Sequence, residues 1–434
     1  MDAYLKTLER IYNLRGGIID LRLERMDQAL ALFDHPEKTF PSFHIAGTNG
    51  KGSTAAMLHR ILCSAGYRAG LYTSPHLVSF TERIRVTEEE ITPEEVVALA
   101  HEIWNRTDAA NISLTFFEIV TVMAFLYFAR RRVDLAVIEV GLGGRFDATN
   151  LVRSVVSIIT TISKDHEAFL GSDIASIAGE KGGIIKKEVP VVCGALPRAA
   201  MNVIKKTADA NQARIYQLDQ DFTLNLKSGG AFDYKGPKWN LSEVSVALQG
   251  AHQLRNAAVA TAALEIVSHQ FPISEAAIRS GLRNVSWPGR MERMLTDPTV
   301  IIDGAHNGEG IRVLVDELRT LRNSGQIRML FAVMEDKDWR LMLEALAEVV
   351  DEIVLTRVSQ LERSADPVEL AKEVPGKVRS FVMPEPRLAV DFLVQSAASN
   401  DTIVITGSLY LLGEVRPMLA AMAQARQPDK NNLH

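Results

Sequence analysis

Only two cysteines, Cys63 and Cys193, occur in 434 residues. That excludes a disulfide framework, and their apolar neighbours are the pattern of buried thiols in a reducing, cytoplasmic setting. Neither sign of charge dominates. Against 53 acidic residues stand 48 lysines and arginines, a formal net charge of −5, which offers no electrostatic footprint for nucleic acid or an anionic membrane. No apolar run approaches the roughly 18 residues a membrane span needs. The first residues, "MDAYLKTLERIYNLRGG", mix charges without an apolar core, so no secretory signal is expected. Internal repeats, low-complexity tracts, zinc-type cysteine spacings and Ser-His-Asp or Cys-His arrangements are also missing.

What remains is an ordinary globular composition, 47% hydrophobic and 23% charged, in a chain long enough for two domains. Apolar, β-rich runs alternate with amphipathic stretches, the pattern of a doubly wound α/β protein. Strands are expected at 43–46, 135–144, 155–163 and 189–195, with helices near 94–105, 117–132, 173–185, 252–269 and 274–283. Short alternating runs over 212–250 predict a β-rich patch. Pro288, Gly289 and Pro298 punctuate the chain, and a domain boundary is expected at 295/296. Beyond it, "TVIIDGAH", "IRMLFAVM", "EIVLTRV", "VRSFVM" and "TIVITGS" are five further strand candidates. The expected fold is an N-terminal P-loop ATPase domain with a central, mostly parallel sheet, followed by a smaller C-terminal Rossmann-like α/β domain.

The stretch "FHIAGTNGKGSTAAMLHRIL" carries the strongest chemical signal. Phe43, Ile45 and Ala46 close a strand, while Met57, Leu58, Ile61 and Leu62 recur at helical spacing. Between them lie Thr48, Asn49, Gly50, Lys51, Gly52 and Ser53. A strand, a glycine-rich turn and a helix N-terminus cradle a phosphate, and Lys51 adds a full positive charge. Ser53 or Thr54 is placed to reach magnesium or a phosphate oxygen. Gly52 intervenes between lysine and serine, which departs from the usual P-loop spacing. A turn that merely closes a strand-helix corner would need fewer glycines and no lysine, so ATP or another nucleoside triphosphate is the expected ligand.

A triphosphate site needs a divalent cation, and open α/β sheets bind ligands at strand C-termini. Glu139, within "VIEVGLGGR", is a carboxylate in an apolar strand, which demands either a cation or a partner such as Arg145. His166 follows another strand at the same edge and reads as either a ligand or a packing residue. Ser74, before Pro75, is either a turn-initiating hydroxyl or a ligand. Spacing alone makes Lys181 a solvated lysine. In the second domain Asp303, His306 and Asn307 of "DGAHN" end a strand as a ligand-contact cluster.

The ordered set "AGTNGKGS", "TSPHL", "ERIRV", "TFFE", "IEVGLGGRFDATN", "DHEAFLG", "EKGGIIK", "HQLRNA", "WPGRMER", "DGAHN" and "GSLYLLGE" resembles the folylpolyglutamate synthases of the Mur ligase superfamily, including bacterial members that are also dihydrofolate synthases. The resemblance covers about residues 10–415. It implies an ATP- and folate-binding domain over 1–295 and a glutamate ligase domain over 296–434. It further implies that Asn49–Ser53 holds the ATP phosphates and that Ser74, Glu139 and His166 bind magnesium, with two ions in the site. Lys181 matches a lysine the family carries as a carbamate. Asn256, Arg290 and Asp303 match nucleotide contacts, with His306 nearby. Thr115, Phe116, Phe117 and Glu118, together with Phe146, Asp147 and Ala148, match pterin-side contacts. So does the segment Asp20, Leu21 and Arg22, although Arg22 stands where relatives tend to have glycine. Arg83 lies in the "ERIRV" motif on the substrate side.

The reaction so implied activates the carboxylate of dihydropteroate or a reduced folate as an acyl phosphate, which the amine of L-glutamate then attacks. Lys51, Glu139, His166 and Lys181 are the expected catalytic groups, in a cytoplasmic monomer whose domains close on the nucleotide. Two other readings compete: a Mur-type ligase for another amino acid and carboxylate, and a regulatory protein that binds nucleotide without ligase activity.

Overall fold

The computed structural model describes residues 2–14, 23–165, 167–227, 229–322, 325–359 and 361–426. The expected contacts Asp20, Leu21, Arg22 and His166 lie outside the described residues. The chain forms two compact units, residues 1–247 with 251–286, and residues 248–250 with 287–434.

The first unit is built on eight strands: β1 (Ser42–Ala46), β2 (Ala69–Tyr72), β3 (Ile84–Val86), β4 (Glu89–Glu90), β5 (Leu135–Glu139), β6 (Ser154–Ile159), β7 (Val191–Cys193) and β8 (Ile215–Gln217). Their spatial order is β4-β3-β2-β5-β1-β6-β7-β8. All neighbouring pairs are parallel except β2–β3 and β3–β4. Every residue of β1 and β5 is buried, as expected of strands covered by helices on both faces. The loop after β1 therefore opens at the middle of the sheet's carboxyl edge, flanked by the ends of β5 and β6. An apolar cluster that includes Phe40, Tyr72, Phe125 and Phe128 fills one side of this sheet.

The β-rich patch is a three-stranded antiparallel sheet of β9 (Thr223–Lys227), β10 (Ala231–Lys235) and β11 (Asn240–Ser245). Glu265, on the helix Ala251–Val267, holds it in place. Its carboxylate accepts from the Tyr234 hydroxyl at 2.5 Å and from the Trp239 N–H at 2.5 Å.

The second unit contains β12 (Glu292–Thr296), β13 (Thr299–Ile302), β14 (Ile327–Phe331), β15 (Glu352–Leu355), β16 (Arg379–Val382) and β17 (Thr402–Thr406), in the order β12-β13-β17-β14-β15-β16. All five expected strands are present. The boundary falls at 286/287 rather than 295/296, because residues 292–296 form an antiparallel edge strand on β13 and so belong to the second core. The strand read over 135–144 stops at Glu139, where the glycine-rich loop begins.

Candidate active site

Gly47 has φ +155°, and the helix Lys51–Ser64 starts from Gly50, whose φ of +83° is in the left-handed region. Gly50 also lies against Asn256: a Cβ built on it would stand 2.6 Å from the Asn256 Oδ1. Two constraints thus demand glycine at this position. The loop is clamped to the end of β6. Thr48 N–H donates to the Thr161 carbonyl at 2.8 Å and Asn49 N–H to Thr161 Oγ1 at 3.0 Å, while Thr160 Oγ1 donates to the Asn49 carbonyl at 2.6 Å. Thr48 Oγ1 donates to the Ser163 carbonyl and accepts its N–H. Thr160 and Thr161 escaped the sequence reading; paired threonines directly after an apolar strand were the available signal.

Lys51 Nζ donates to the carbonyls of Gly47 at 2.9 Å and Thr48 at 3.2 Å. Lys181 Nζ donates to the same Gly47 oxygen at 3.0 Å and is only 5% exposed. The spacing-based reading of Lys181 as solvated is therefore wrong. Gly144 and Gly183 explain the burial. A Cβ at Gly144 would stand 3.0 Å from the Lys181 carbonyl, and one at Gly183 would strike the Arg145 backbone, so only glycines let the helix Ile174–Gly182 approach this closely. Burial, then the neighbouring Lys51 charge, lowers the Lys181 pKa to about 7.

Glu139 ends β5 at 4% exposure, and the Ser74 N–H donates to its Oε2 at 3.1 Å. Arg145 does not serve as its counterion but pairs with Glu180 at 3.6 Å. Ile45, two residues before Gly47, is the strand partner of Glu139, so carboxylate and phosphate loop share one edge. Among the described residues no three His, Cys, Asp or Glu side chains form a metal-binding group. The expected ligands Ser74 and Glu139 are brought together; the third, His166, is outside the described residues. A buried carboxylate and a hydroxyl are hard oxygen donors and fit Mg²⁺. Ser53 and Thr54 are both buried in the first helical turn, and Thr54 Oγ1 lacks a hydrogen-bond partner among the described residues.

The expected substrate-side residues divide by role. Thr115 and Glu118 form a capping box, with Thr115 N–H donating to Glu118 Oε2 at 2.7 Å, and Arg25 clasps the same carboxylate from 2.8 Å. Both side chains hold the start of this helix. Phe116 is half-buried, stacked on Tyr12 with ring centroids 5.9 Å apart, and the buried Arg83 guanidinium lies 5.4 Å from its ring. Arg83 Nε donates to His76 Nδ1 at 2.7 Å. Phe117 packs near Tyr72, and its ring fills the space a Cβ on Gly141 would take. Asp147 is buried, accepting from the N–H groups of Leu142 and Thr149 and from Thr149 Oγ1. Burial raises its pKa. Ala148 is buried and Phe146 is 41% exposed.

In the second unit Asp303 follows β13. Its Oδ2 accepts from Met291 N–H at 2.9 Å and its Oδ1 from Ala305 N–H at 2.9 Å. Gly304 N–H donates to the Gly289 carbonyl at 2.8 Å and Arg290 Nη1 to the same oxygen at 3.0 Å. His306 Nδ1 is 2.8 Å from the Gly304 carbonyl, and Asn307 caps the helix Gly308–Leu321 through Gly310 N–H. Arg290, Asp303 and His306 are thus gathered at one strand end.

A nucleotide-type loop, a buried carboxylate beside it and a second α/β unit define an architecture shared with known proteins. The Mur ligase middle domain matches residues 45–264 and the Mur ligase, glutamate ligase domain matches residues 289–409; the chain is a Mur ligase. Within that class it belongs to the dihydrofolate synthase/folylpolyglutamate synthase family. It is 37% identical over 409 residues to the dihydrofolate synthase/folylpolyglutamate synthase of Bacillus subtilis, covering 92% of this chain and 94% of that one. The structure of Mycobacterium tuberculosis folylpolyglutamate synthase complexed with ADP superposes with a TM-score of 0.90 at 34% identity, covering 98% and 99% of the two chains. A bifunctional folylpolyglutamate synthase/dihydrofolate synthase with Mn, AMPPNP and L-glutamate bound gives 0.86 at 33% identity, covering 95% and 98%.

Proposed function

We propose that this chain is an ATP-dependent ligase that joins L-glutamate to dihydropteroate and to the γ-carboxylate of reduced folates. The observation that carries the reading is the Gly47 loop, which gathers Lys51 and Lys181 on one carbonyl beside the buried carboxylate Glu139. Such a cluster suits an oxyanion-rich ligand: the Lys51 ammonium, the loop N–H groups and the helix N-terminus all favour negative charge. Thr48, Asn49, Gly50, Lys51, Gly52 and Ser53 are assigned to the ATP phosphates, and Asn256, Arg290, Asp303 and His306 to the nucleotide. Ser74, Glu139 and His166 would hold Mg²⁺, which when bound neutralises phosphoryl charge.

The substrate carboxylate attacks the γ-phosphorus, its oxygen bonding to phosphorus as the bond to ADP breaks. The glutamate amine then attacks the acyl carbon and loses its proton, and phosphate departs with the original carboxylate oxygen. Lys51 offsets charge on the transferring phosphoryl group, and the loop holds donor and acceptor in line. Lys181, with a pKa near neutrality, presents enough free amine to add to carbon dioxide. The nitrogen lone pair bonds to carbon and one proton is released, leaving a carbamate, an anionic oxygen ligand suited to a second cation. Phe116, Phe117 and Phe146, with Arg83, are assigned to the pterin side; Thr115, Glu118, Asp147 and Ala148 shape the backbone that presents them. A cytoplasmic location is in keeping with two cysteines that form no disulfide, and a monomer is the default assignment.

Dihydropteroate labelled with ¹⁸O in its carboxylate tests the chemistry. Turnover with ATP and L-glutamate should deliver one labelled oxygen to the released phosphate; unlabelled phosphate would overturn the acyl-phosphate route.

A further inference from the structure

His44 stands in the middle of β1, fully buried between Ile138 of β5 and Ser157 of β6. An imidazole in a central, covered strand is costly unless its polar atoms are used. Its Nε2 is 2.9 Å from Thr149 Oγ1, and Thr149 Oγ1 donates to Asp147 Oδ1 at 2.5 Å. Because the threonine hydrogen is committed to the carboxylate, the imidazole must be the donor to Thr149, which fixes the Nε2–H tautomer. Its Nδ1 is buried and has no hydrogen-bond partner among the described residues, so the ring makes one directed bond. Burial, then the charge of Lys186, keeps the ring neutral, its pKa lowered to about 3. From Asp147 the chain of bonds continues to Leu142 N–H at 2.9 Å, closing the loop that carries Phe146.

We infer that His44 is a positioning residue: through Thr149 and Asp147 it ties the substrate-side loop, residues 141–149, to the strand that bears the phosphate loop. The inference rests on the reading of Phe146–Ala148 as substrate-side residues. It gives a buried polar residue on β1 a task that packing alone would not require. An apolar ring of similar size would fill the strand position as well. Only a donor at the Nε2 position orients the Thr149 hydroxyl, and with it the Asp147 carboxylate that organises three of the loop's hydrogens. The link carries geometry and no proton: the neutral ring keeps its Nε2–H, and the hydroxyl it faces already donates elsewhere.

The experiment compares wild type with His44→Phe, His44→Gln and Thr149→Val in the full chain. It measures KM for dihydropteroate and for ATP, kcat, and amide hydrogen exchange over 141–149. Losing one neutral hydrogen bond predicts a rise in KM for dihydropteroate of roughly five- to tenfold in His44→Phe, with KM for ATP within about twofold and faster exchange in the loop. Thr149→Val, which loses this bond and the one to Asp147, should raise KM at least as far, the double variant should add little to it, and His44→Gln, which keeps a donor at the end of its side chain, should recover most of the His44→Phe loss. A His44→Phe chain with unchanged KM and exchange, or a His44→Gln chain worse than His44→Phe, would overturn the inference in favour of simple packing. If His44→Phe does not fold, Thr149→Val removes the whole link with the ring intact, and unchanged KM and exchange there would overturn the inference. A wild-type chain without folate-dependent turnover would sink the functional reading separately, and loop exchange would then decide the link by itself.

Discussion

Lys51 and Lys181 donate to one acceptor, the carbonyl oxygen of Gly47, at 2.9 and 3.0 Å. Two ammonium groups so close repel, and the repulsion is one cause of the lowered pKa of the more buried lysine. An anionic ligand, or conversion of one lysine to an anion, relieves it.

The first consequence is a pH dependence of stability. Lys181 in the folded chain loses its proton near pH 7, whereas in the unfolded chain it holds it to about 10.5. Below pH 7 both states are protonated and the cost of burying the charge is fully present. Between about 7 and 10.5 the unfolded state binds more protons, so stability rises with pH, by up to about 1.4 kcal/mol per unit. Denaturant unfolding in carbon-dioxide-free buffer should show wild type gaining on Lys181→Met across that window; parallel curves would contradict the assignment.

Glu139→Gln keeps an acceptor for the Ser74 N–H but removes the charge. The expected loss is about 4 kcal/mol of transition-state stabilisation, roughly a thousandfold in kcat, far beyond any change in thermal stability from this isosteric substitution. Steady-state kinetics alongside a melting curve separates these effects.

Gly50→Ala meets both a left-handed backbone and the Asn256 amide. It should weaken binding of a non-hydrolysable ATP analogue by about 2 kcal/mol, measured by calorimetry, with a smaller effect on the melting temperature.

Glu118 serves as cap and as partner of Arg25, with its side chain 7% exposed. Glu118→Ala removes the cap and the ion pair with Arg25, which should lower stability by about 2 kcal/mol. If the residue acted only by touching substrate, KM would rise without this loss.

Much of the architecture was legible because period and punctuation are local signals. The helices expected at 94–105, 117–132 and 252–269 appear as Pro93–Ala109, Phe116–Arg130 and Ala251–Val267. The strand β12 was missed, since "ERMLT" mixes charged and apolar residues and becomes a strand only by pairing with β13. Lys181 was misread for a similar reason. Its burial depends on close approaches at Gly144 and Gly183, and no spacing within its own helix records them. Glu139 was legible because a carboxylate in an apolar strand needs an explanation wherever it occurs. His44 carried the same kind of signal, but its partner Thr149 lies far along the chain, and only the fold joins them.

The central claim is that the phosphate loop serves amide-bond formation. Incubating the chain with ATP, Mg²⁺ and radiolabelled L-glutamate, with dihydropteroate and tetrahydrofolate offered in separate reactions, tests it most directly. The account predicts label in a folate product and one ADP for each glutamate joined. ATP bound with no label transferred to either acceptor would contradict it.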